Sequence, residues 1–232
     1  MKNLKNVLIT GASGGIGKSI AQIFIEKGYR VFAGYYKNKP EIKGAESIYI
    51  DVTSKESVKK AVDYIKNVDI LINNSGISQQ KLFSNITEEE WDRMFDVNIK
   101  GMFLTTKEVV PYMINKKSGK IINISSIWGE IGASCEVHYS SSKAAVIGFT
   151  KALAKELSLS GITVNCVSPG MIETSMNSHL LKEDILEIEN EIPLKRQGNP
   201  KEVADTVFFL ASDMADYITG QVISVSGGWN IS

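Results

Sequence analysis

Tyr139 and Lys143 stand four residues apart in "HYSSSKAAVIGFTKALAKEL" (138–157), with three serines between them. Four residues make about one helical turn, so a helix there puts phenol and ammonium on one face. A phenol alone exchanges its proton poorly near neutrality, because its pKa is about 10. A cation beside it stabilises the phenolate and brings that pKa down. Such a pair suits proton donation to an oxygen that gains charge during a reaction. The plainer alternative is a surface pair, which this spacing often produces on helices.

A second constellation lies near the N-terminus. "NVLITGASGGIGKSIAQIF" (6–24) places Gly11, Gly15 and Gly17 between an apolar run and a helical pattern. The spacing is G-x-x-x-G-x-G, wider than the G-x-G-x-x-G dinucleotide fingerprint, but the physical demands are similar. A first glycine permits a tight exit from the strand. Missing side chains let the backbone approach a pyrophosphate, and the helix N-terminus faces that anion. An ordinary glycine-containing turn is the alternative. The next apolar run ends "FAGYYKNKP" (32–40), with no acidic residue to hold ribose hydroxyls. Tyr36 and Lys37 stand there instead, with Lys39 close by, which points to a 2′-phosphate and to NADP (NADPH) over NAD.

These residues need a scaffold, and the chain supplies its pattern. β-branched runs at 6–10, 30–36, 46–50, 69–74, 120–125, 162–168 and 221–226 alternate with segments of helical spacing. That rhythm predicts βαβ units, a parallel sheet and right-handed crossovers in one α/β domain spanning all 232 residues. The 36–46 connection is short and polar, so any helix there is stunted. The stretch from about Gly170 to Asn199 is a long excursion between strands; residues 174–199 are expected to form a lid over a site.

Composition narrows the function classes. Lys plus Arg equals Asp plus Glu at 26 each, so no electrostatic footprint for nucleic acid or acidic membrane exists. Cys135 and Cys166 lack CxxC or metal spacing, and His138 and His179 are far apart, so no metal site is expected. Both thiols read as packing residues, and His138 as lining the pocket mouth or meeting solvent. The apolar run in "MKNLKNVLIT" is too brief for a signal-peptide core, and no stretch reaches membrane-spanning length. A cytoplasmic location is expected.

Five motifs fall in the order of a known family. "TGASGGIG" (10–17), "NNSG" (73–76), "DVN" ending at Asn98, "INISS" ending at Ser126 and "YSSSK" (139–143) resemble the short-chain dehydrogenase/reductases over essentially the whole chain; "SPGMIETSM" (168–176) follows in register. Ser75 replaces the family's usual alanine, which adds a hydroxyl and removes no required group. The resemblance implies a single-domain Rossmann fold: a doubly wound, mainly seven-stranded parallel sheet with helices on both faces. It implies a catalytic set of Asn98, Ser126, Tyr139 and Lys143. Tyr139 would be the general acid and Lys143 its tuner and ribose ligand. Ser126 would hold the substrate oxygen, and Asn98 would order a water-linked proton path. It implies that cofactor is held by Gly11, Ser13, Gly14, Gly15, Ile16, Gly17, Tyr36, Lys37, Asp51, Val52, Asn74, Ser75, Gly76, Tyr139, Lys143, Pro169, Gly170, Ile172 and Thr174, with Asp51 on adenine and Ile172 and Thr174 on the carboxamide.

Within the family, the length and the ending "ITGQVISVSGG" resemble 3-oxoacyl-[acyl-carrier-protein] reductases, which implies a ketone carried on an acyl carrier protein. "SSIWGEIGASCEVHYSSSK" (125–143) also resembles bacterial reductases of the 5-aminopentanone modification of elongation factor P. Trp128, Glu130 and Glu136 would then sit near the site, where carboxylates attract an aminoketone. A sugar or polyol dehydrogenase and a non-catalytic dinucleotide-binding regulator are further alternatives; the latter would be expected to lose part of the catalytic set. The family also implies a homotetramer, with long helices around 91–113 and 139–158 at its interfaces.

Overall fold

The computed structural model describes residues 4–177 and 180–231, Met176 by its backbone alone. Ser178 and His179, the latter one of the two distant histidines named above and both within the expected lid, lie outside the described residues. Each β-branched run forms a strand within a residue or two of its expected bounds: β1 (Asn6–Ile9), β2 (Arg30–Tyr35), β3 (Ala45–Tyr49), β4 (Ile70–Asn73), β5 (Gly119–Ile124), β6 (Ile162–Pro169) and β7 (Val222–Val225). They form one seven-stranded sheet in the order β3-β2-β1-β4-β5-β6-β7, with every neighbouring pair parallel. Between them lie α1 (Gly15–Glu26), α2 (Lys55–Ile65), α3 (Glu88–Phe95), α4 (Gly101–Lys116), α5 (Trp128–Ile131), α6 (Val137–Leu157), α7 (Lys182–Glu191) and α8 (Pro200–Ala211). The 36–46 connection carries no helix.

Both faces of the sheet are covered, and β1 shows why its sequence is apolar throughout. Val7 and Ile9 enter one core with α1 and α8, while Leu8 enters the other with α2, α4 and α6. Phe24 of α1 is fully buried in the first core, its ring edge-on to Tyr29 at 5.2 Å and Phe208 of α8 at 5.4 Å. Burying such a ring contributes about 2–3 kcal/mol.

Local sequence sets the helix starts. Ser54 accepts the Ser57 N–H ahead of α2, Thr87 and Glu90 form a reciprocal capping box on α3, and Asn199 caps α8 with Pro200 in its first turn. The long helix expected around 91–113 is present as an unbroken helical run that carries one irregularity. A π-helical turn at Asp96–Lys100 joins α3 to α4 and turns Asn98 inward, where it is 2 % exposed. Beneath the site runs a buried polar chain. Asn73 Nδ2 donates to Asn123 Oδ1 at 2.9 Å and Asn123 Nδ2 donates to Thr150 at 2.9 Å, which ties β4, β5 and α6 together.

The strand order reverses at β1, with β2 and β3 on one side and β4 on the other. The loops leaving the carboxyl ends of β1 and β4 therefore part, opening a crevice there. The excursion after β6 leaves through a narrow neck: Gly198 N–H donates to Met171 O at 2.8 Å and Glu173 N–H to Gly198 O at 2.9 Å. Among the described residues, no helix is long and apolar enough to cross a membrane.

Candidate active site

Two cavities open at the carboxyl ends of the strands and meet at Gly76 and Ile77. The larger, ≈ 840 Å³, is lined by Gly11, Ser13, Tyr36, Lys37, Asp51, Val52 and Ser75. The smaller, ≈ 280 Å³, is lined by Ile16, Asn74, Ser126, Tyr139, Lys143, Pro169, Gly170, Ile172 and Thr174. Nearly all the residues that the motifs single out thus share one continuous cleft. Gly14, Gly15, Gly17 and Asn98 line neither cavity.

The glycine turn is built for close approach. Gly11 has φ +66°, in the left-handed region that glycine tolerates best, and a Cβ there would stand 2.9 Å from the Ser75 backbone. A Cβ on Gly17 would lie 2.3 Å from the Gly11 carbonyl oxygen and 2.6 Å from the Asn74 amide. That amide bolts the turn to β4, donating to Thr10 O at 3.1 Å and Gly11 O at 2.9 Å. Thr10 accepts the Asn74 and Ser75 N–H groups on its hydroxyl, each at 3.0 Å, and is a contributor that sequence reasoning passes over. Unlike α2, α3 and α8, α1 begins at Gly14 with no side-chain cap and no acidic residue in its first turn. Its leading N–H groups are left without a side-chain acceptor, the condition under which a helix N-terminus takes an anion.

The larger cavity is polar where it meets the ends of β2 and β3. Ser13 donates to Asn38 O at 2.6 Å, anchoring the loop that carries exposed Lys37. One Asp51 oxygen accepts from Thr53 N–H at 3.0 Å and Thr53 Oγ1 at 2.7 Å. The uncapped helix, the glycine cradle and this polar end fit a nicotinamide dinucleotide.

Tyr139 and Lys143 lie on the buried stripe of α6, together with His138, Ser142 and Val146. Lys143 Nζ sits 5.7 Å from the Tyr139 ring centroid and donates to the Ile124 carbonyl at 2.9 Å. Ser125 Oγ, donating to Lys143 O at 2.8 Å, fixes α6 to the end of β5. The neighbouring Ser126 hydroxyl accepts the Trp128 N–H at 3.3 Å and stands close enough to Tyr139 to favour its phenolate. Burial pushes the Lys143 ammonium down to about 8. The expectation of a lowered tyrosine pKa is corrected: burial pushes Tyr139 up to about 12, against the opposing pull of Ser126, and the Glu136 carboxylate adds to the rise. Removing a phenolate from water outweighs the lysine across the ring.

Asn98 does not face the cleft with its side chain. Its Oδ1 accepts the Ile77 N–H at 2.9 Å, and its Nδ2 donates to Ile77 O and to Ser142 Oγ, each at 3.0 Å. The amide therefore clamps one cleft-lining residue at both backbone groups.

Two further expectations are corrected. His138 neither lines the mouth nor meets solvent: it is 0 % exposed, with Nε2 3.0 Å from Gln79 Oε1, and burial lowers its pKa. Glu130 turns from the cavity to accept from Ser224 Oγ at 3.3 Å. Trp128 and Glu136 do line it, joined by residues that the motifs do not flag: Gln79, Gln80, Met171, Leu180, Ile188 and Trp229. The Trp128 and Trp229 rings meet edge-on at 4.9 Å. Cys135 and Cys166 are free thiols, and burial raises Cys166 to about 12, which makes it inert packing. No group of three potential metal ligands exists among the described residues.

Known proteins share this arrangement. A family model described as enoyl-(acyl carrier protein) reductase matches residues 11–230. A Staphylococcus epidermidis protein named 3-oxoacyl-[acyl-carrier-protein] reductase FabG is 45 % identical, with 97 % of this chain and 98 % of that protein covered. A Bacillus subtilis protein named uncharacterized oxidoreductase YmfI is 40 % identical, over 97 % of this chain and 99 % of that one. The crystal structure of a 3-oxoacyl-[acyl-carrier protein] reductase from Brucella melitensis superposes with a TM-score of 0.92 at 34 % identity, over 98 % and 92 % of the two chains. The chain belongs to the short-chain dehydrogenase/reductase family, as an oxidoreductase of CH–OH and C=O groups.

Proposed function

We propose that the protein reduces the ketone of a 3-oxoacyl thioester carried on an acyl carrier protein, with NADPH, as a step of fatty-acid synthesis. The observation that carries this reading is the shape of the smaller cavity. Ser126 and Tyr139 stand at one wall, and Met171, Leu180, Ile188, Trp128 and Trp229 give an apolar surface for an acyl chain. The names of the relatives agree with it.

When bound, the nicotinamide supplies the hydride. Ser126 donates to the substrate oxygen and stabilises charge as it develops. Tyr139, held protonated at neutral pH by its raised pKa, gives its proton to the nascent alkoxide; an alkoxide is comparable in basicity to hydroxide, whose conjugate acid has a pKa of about 15.7, so the transfer runs downhill. A protonated resting tyrosine suits ketone reduction better than alcohol oxidation. Lys143 holds the nicotinamide ribose, and Asn98 sets the backbone through which the proton is replaced. Gly11, Ser13, Gly14, Gly15, Ile16 and Gly17 cradle the pyrophosphate, and Asp51 and Val52 meet the adenine. Lys37 and Ser13 meet a 2′-phosphate at the end of β2, whose last residues carry no carboxylate. Asn74, Ser75 and Gly76 line the ribose and nicotinamide path, and Pro169, Gly170, Ile172 and Thr174 face the carboxamide. Segment 174–199, which brings Asn177, Leu180 and Ile188 to the cavity, acts as the lid. A cytoplasmic homotetramer, joined through the exposed apolar side chains of α4 (Phe103, Ile114), completes the reading.

One observation favours a second substrate class. The Glu136 carboxylate lines the same cavity close enough to raise the Tyr139 pKa, which suits a cationic aminoketone such as modified elongation factor P. A substrate panel with NADPH and NADH decides: an acetoacetyl thioester, a crotonyl thioester and a 5-amino-2-pentanone amine. Preference for the acetoacetyl thioester with NADPH supports the first reading, and preference for the aminoketone replaces it. Crotonyl turnover assigns carbon–carbon double-bond reduction instead. Tight NADPH binding without turnover of any substrate leaves a non-catalytic regulator.

A further inference from the structure

Three successive residues of the loop after β4 reach three residues at the start of α6. Gln79 Oε1 lies 3.0 Å from His138 Nε2, Gln80 Nε2 donates to Glu136 Oε1 at 3.3 Å, and Lys81 N–H donates to Cys135 O at 2.6 Å. Cys135 has φ +61°, a left-handed conformation uncommon for a residue with a Cβ. The strain aims its carbonyl at the loop, and such strain persists only where surrounding contacts hold it. At the far end of the loop, Asn98 grips Ile77 by both backbone groups.

The hydrogen-bond chemistry of this clasp is determined from outside it. Glu90 accepts from Gln79 Nε2 at 2.9 Å and from Lys81 Nζ at 2.7 Å, and the Lys81 ammonium holds that carboxyl at about 2. A carboxylate accepts only, so the Gln79 NH₂ must face Glu90 and its Oε1 must face His138. His138 Nε2 therefore carries a proton and donates it to Gln79 Oε1. His138 Nδ1 is buried with no partner among the described residues. Burial lowers the His138 pKa and so favours the neutral ring; the Glu90 carboxylate opposes this and the Lys81 ammonium supports it.

We propose that Glu90, Gln79 and His138 form a positioning relay that locks the substrate-facing loop 77–81 to the turn of α6 that presents Tyr139. His138 is the central positioning residue. Tyr139 is the third residue of α6, in a first turn where helices fray, and His138 immediately precedes it. Loop residues Ile77, Gln79 and Gln80 form a wall of the cavity. One relay thus sets the distance between that wall and the proton donor. It rests on the reductase reading only through the role of Tyr139.

The test compares His138→Leu, which removes the donor, with His138→Gln, which keeps an amide N–H of similar reach. In His138→Leu, KM for the ketone is expected to rise about tenfold and kcat to fall, while NADPH affinity, to which the pyrophosphate and adenosine contacts distant from His138 contribute, stays within about twofold; a displacement near 1 Å is enough for such losses. His138→Gln is expected to recover most of kcat/KM. In a Gln79→Leu background, His138→Leu should add less than about twofold, because the relay is already open. Amide exchange at Ile77 and Lys81 should quicken about tenfold in His138→Leu, with β4 and β5 unchanged. That readout needs no turnover, so it decides the matter even if none of the ketones is a substrate. A fall in kcat alone with loop exchange unchanged, or independent multiplying effects of the two substitutions, overturns the relay. Should His138→Leu fail to fold, Gln79→Leu alone carries the same expectations on KM and exchange.

Discussion

Lys143→Met is expected to make the cofactor-free protein lose stability relative to wild type as pH rises, although it removes a titrating base from the core. Wild-type Lys143 is 5 % exposed and has its pKa lowered to about 8 by burial. In the unfolded chain it returns to about 10.5. A base whose folded pKa is depressed carries a penalty that is fully present below pH 8 and is relieved as pH climbs toward the unfolded value. The gap corresponds to about 3 kcal/mol of destabilisation at pH 7 and to less than about 1 kcal/mol at pH 10. Methionine of similar length escapes that penalty but leaves the Ile124 carbonyl, now the acceptor at 2.9 Å, without its donor, which costs about 1–3 kcal/mol at any pH. At pH 7 the two terms nearly cancel or favour methionine; by pH 10 wild type leads. The stability difference between the two proteins should therefore swing by about 2–3 kcal/mol from pH 7 to pH 10. Urea unfolding at pH 7, 8, 9 and 10, without nucleotide, measures it, and the other lysines cancel between the two proteins. A difference that stays constant across this range would refute the reasoning. The substitution should also abolish turnover, which explains why an unfavourable buried cation is kept at this position.

Other expectations concern the cofactor end and the scaffold. Lys37→Ala should raise KM for NADPH by about ten- to a hundredfold and leave KM for NADH unchanged, since a charge-assisted bond to the 2′-phosphate contributes about 1.5–3 kcal/mol; equal effects on both nucleotides place the 2′-phosphate elsewhere. Gly129→Ala puts a Cβ 2.6 Å from the Lys143 carbonyl carbon, which must push α5 off α6. A loss of about 1–3 kcal/mol by denaturation, with kcat reduced more than NADPH affinity, is the expected result. Lys117 ends α4 in the left-handed region at φ +51°, with the bond pair Lys117 N–H to Ile114 O and Ser118 N–H to Met113 O that glycine usually completes. Lys117→Gly should stabilise by about 1 kcal/mol and raise Tm by about 2–4 °C in a thermal melt, without touching activity.

Much of the fold is legible in the sequence because a parallel sheet buried on both faces demands continuous apolar runs, and "NVLIT" or "DILINN" can do little else. The glycine turn, Ser126, Tyr139 and Lys143 fall together because each sits at a strand end or one turn into a helix, where short-range spacing fixes position. What escapes is set by long-range contact. The π-helical turn at 96–100 leaves the apolar spacing nearly intact, so α3 and α4 read as one regular helix. The rise in the Tyr139 pKa follows from burial under elements distant in sequence, which the four-residue spacing does not encode. His138 is polar and adjacent to the proposed proton donor, features of a pocket mouth; its meeting with Gln79, 59 residues earlier, explains why it is buried. Thr10 and Ser142 fall inside the "TGASGGIG" and "YSSSK" stretches, but they act through backbone and amide partners distant in sequence, which local spacing does not assign.

The central claim is that Tyr139 donates the proton in a cleft otherwise complete for the nucleotide. Its most direct measurement is NADPH affinity and NADPH oxidation in Tyr139→Phe beside wild type, with the best ketone of the panel. The account predicts unchanged affinity and a kcat lower by about 10²–10⁴, the usual contribution of a positioned acid. A variant that binds NADPH equally well and keeps more than about a tenth of the wild-type rate would contradict it, and the proton donor would have to be sought elsewhere in the cavity.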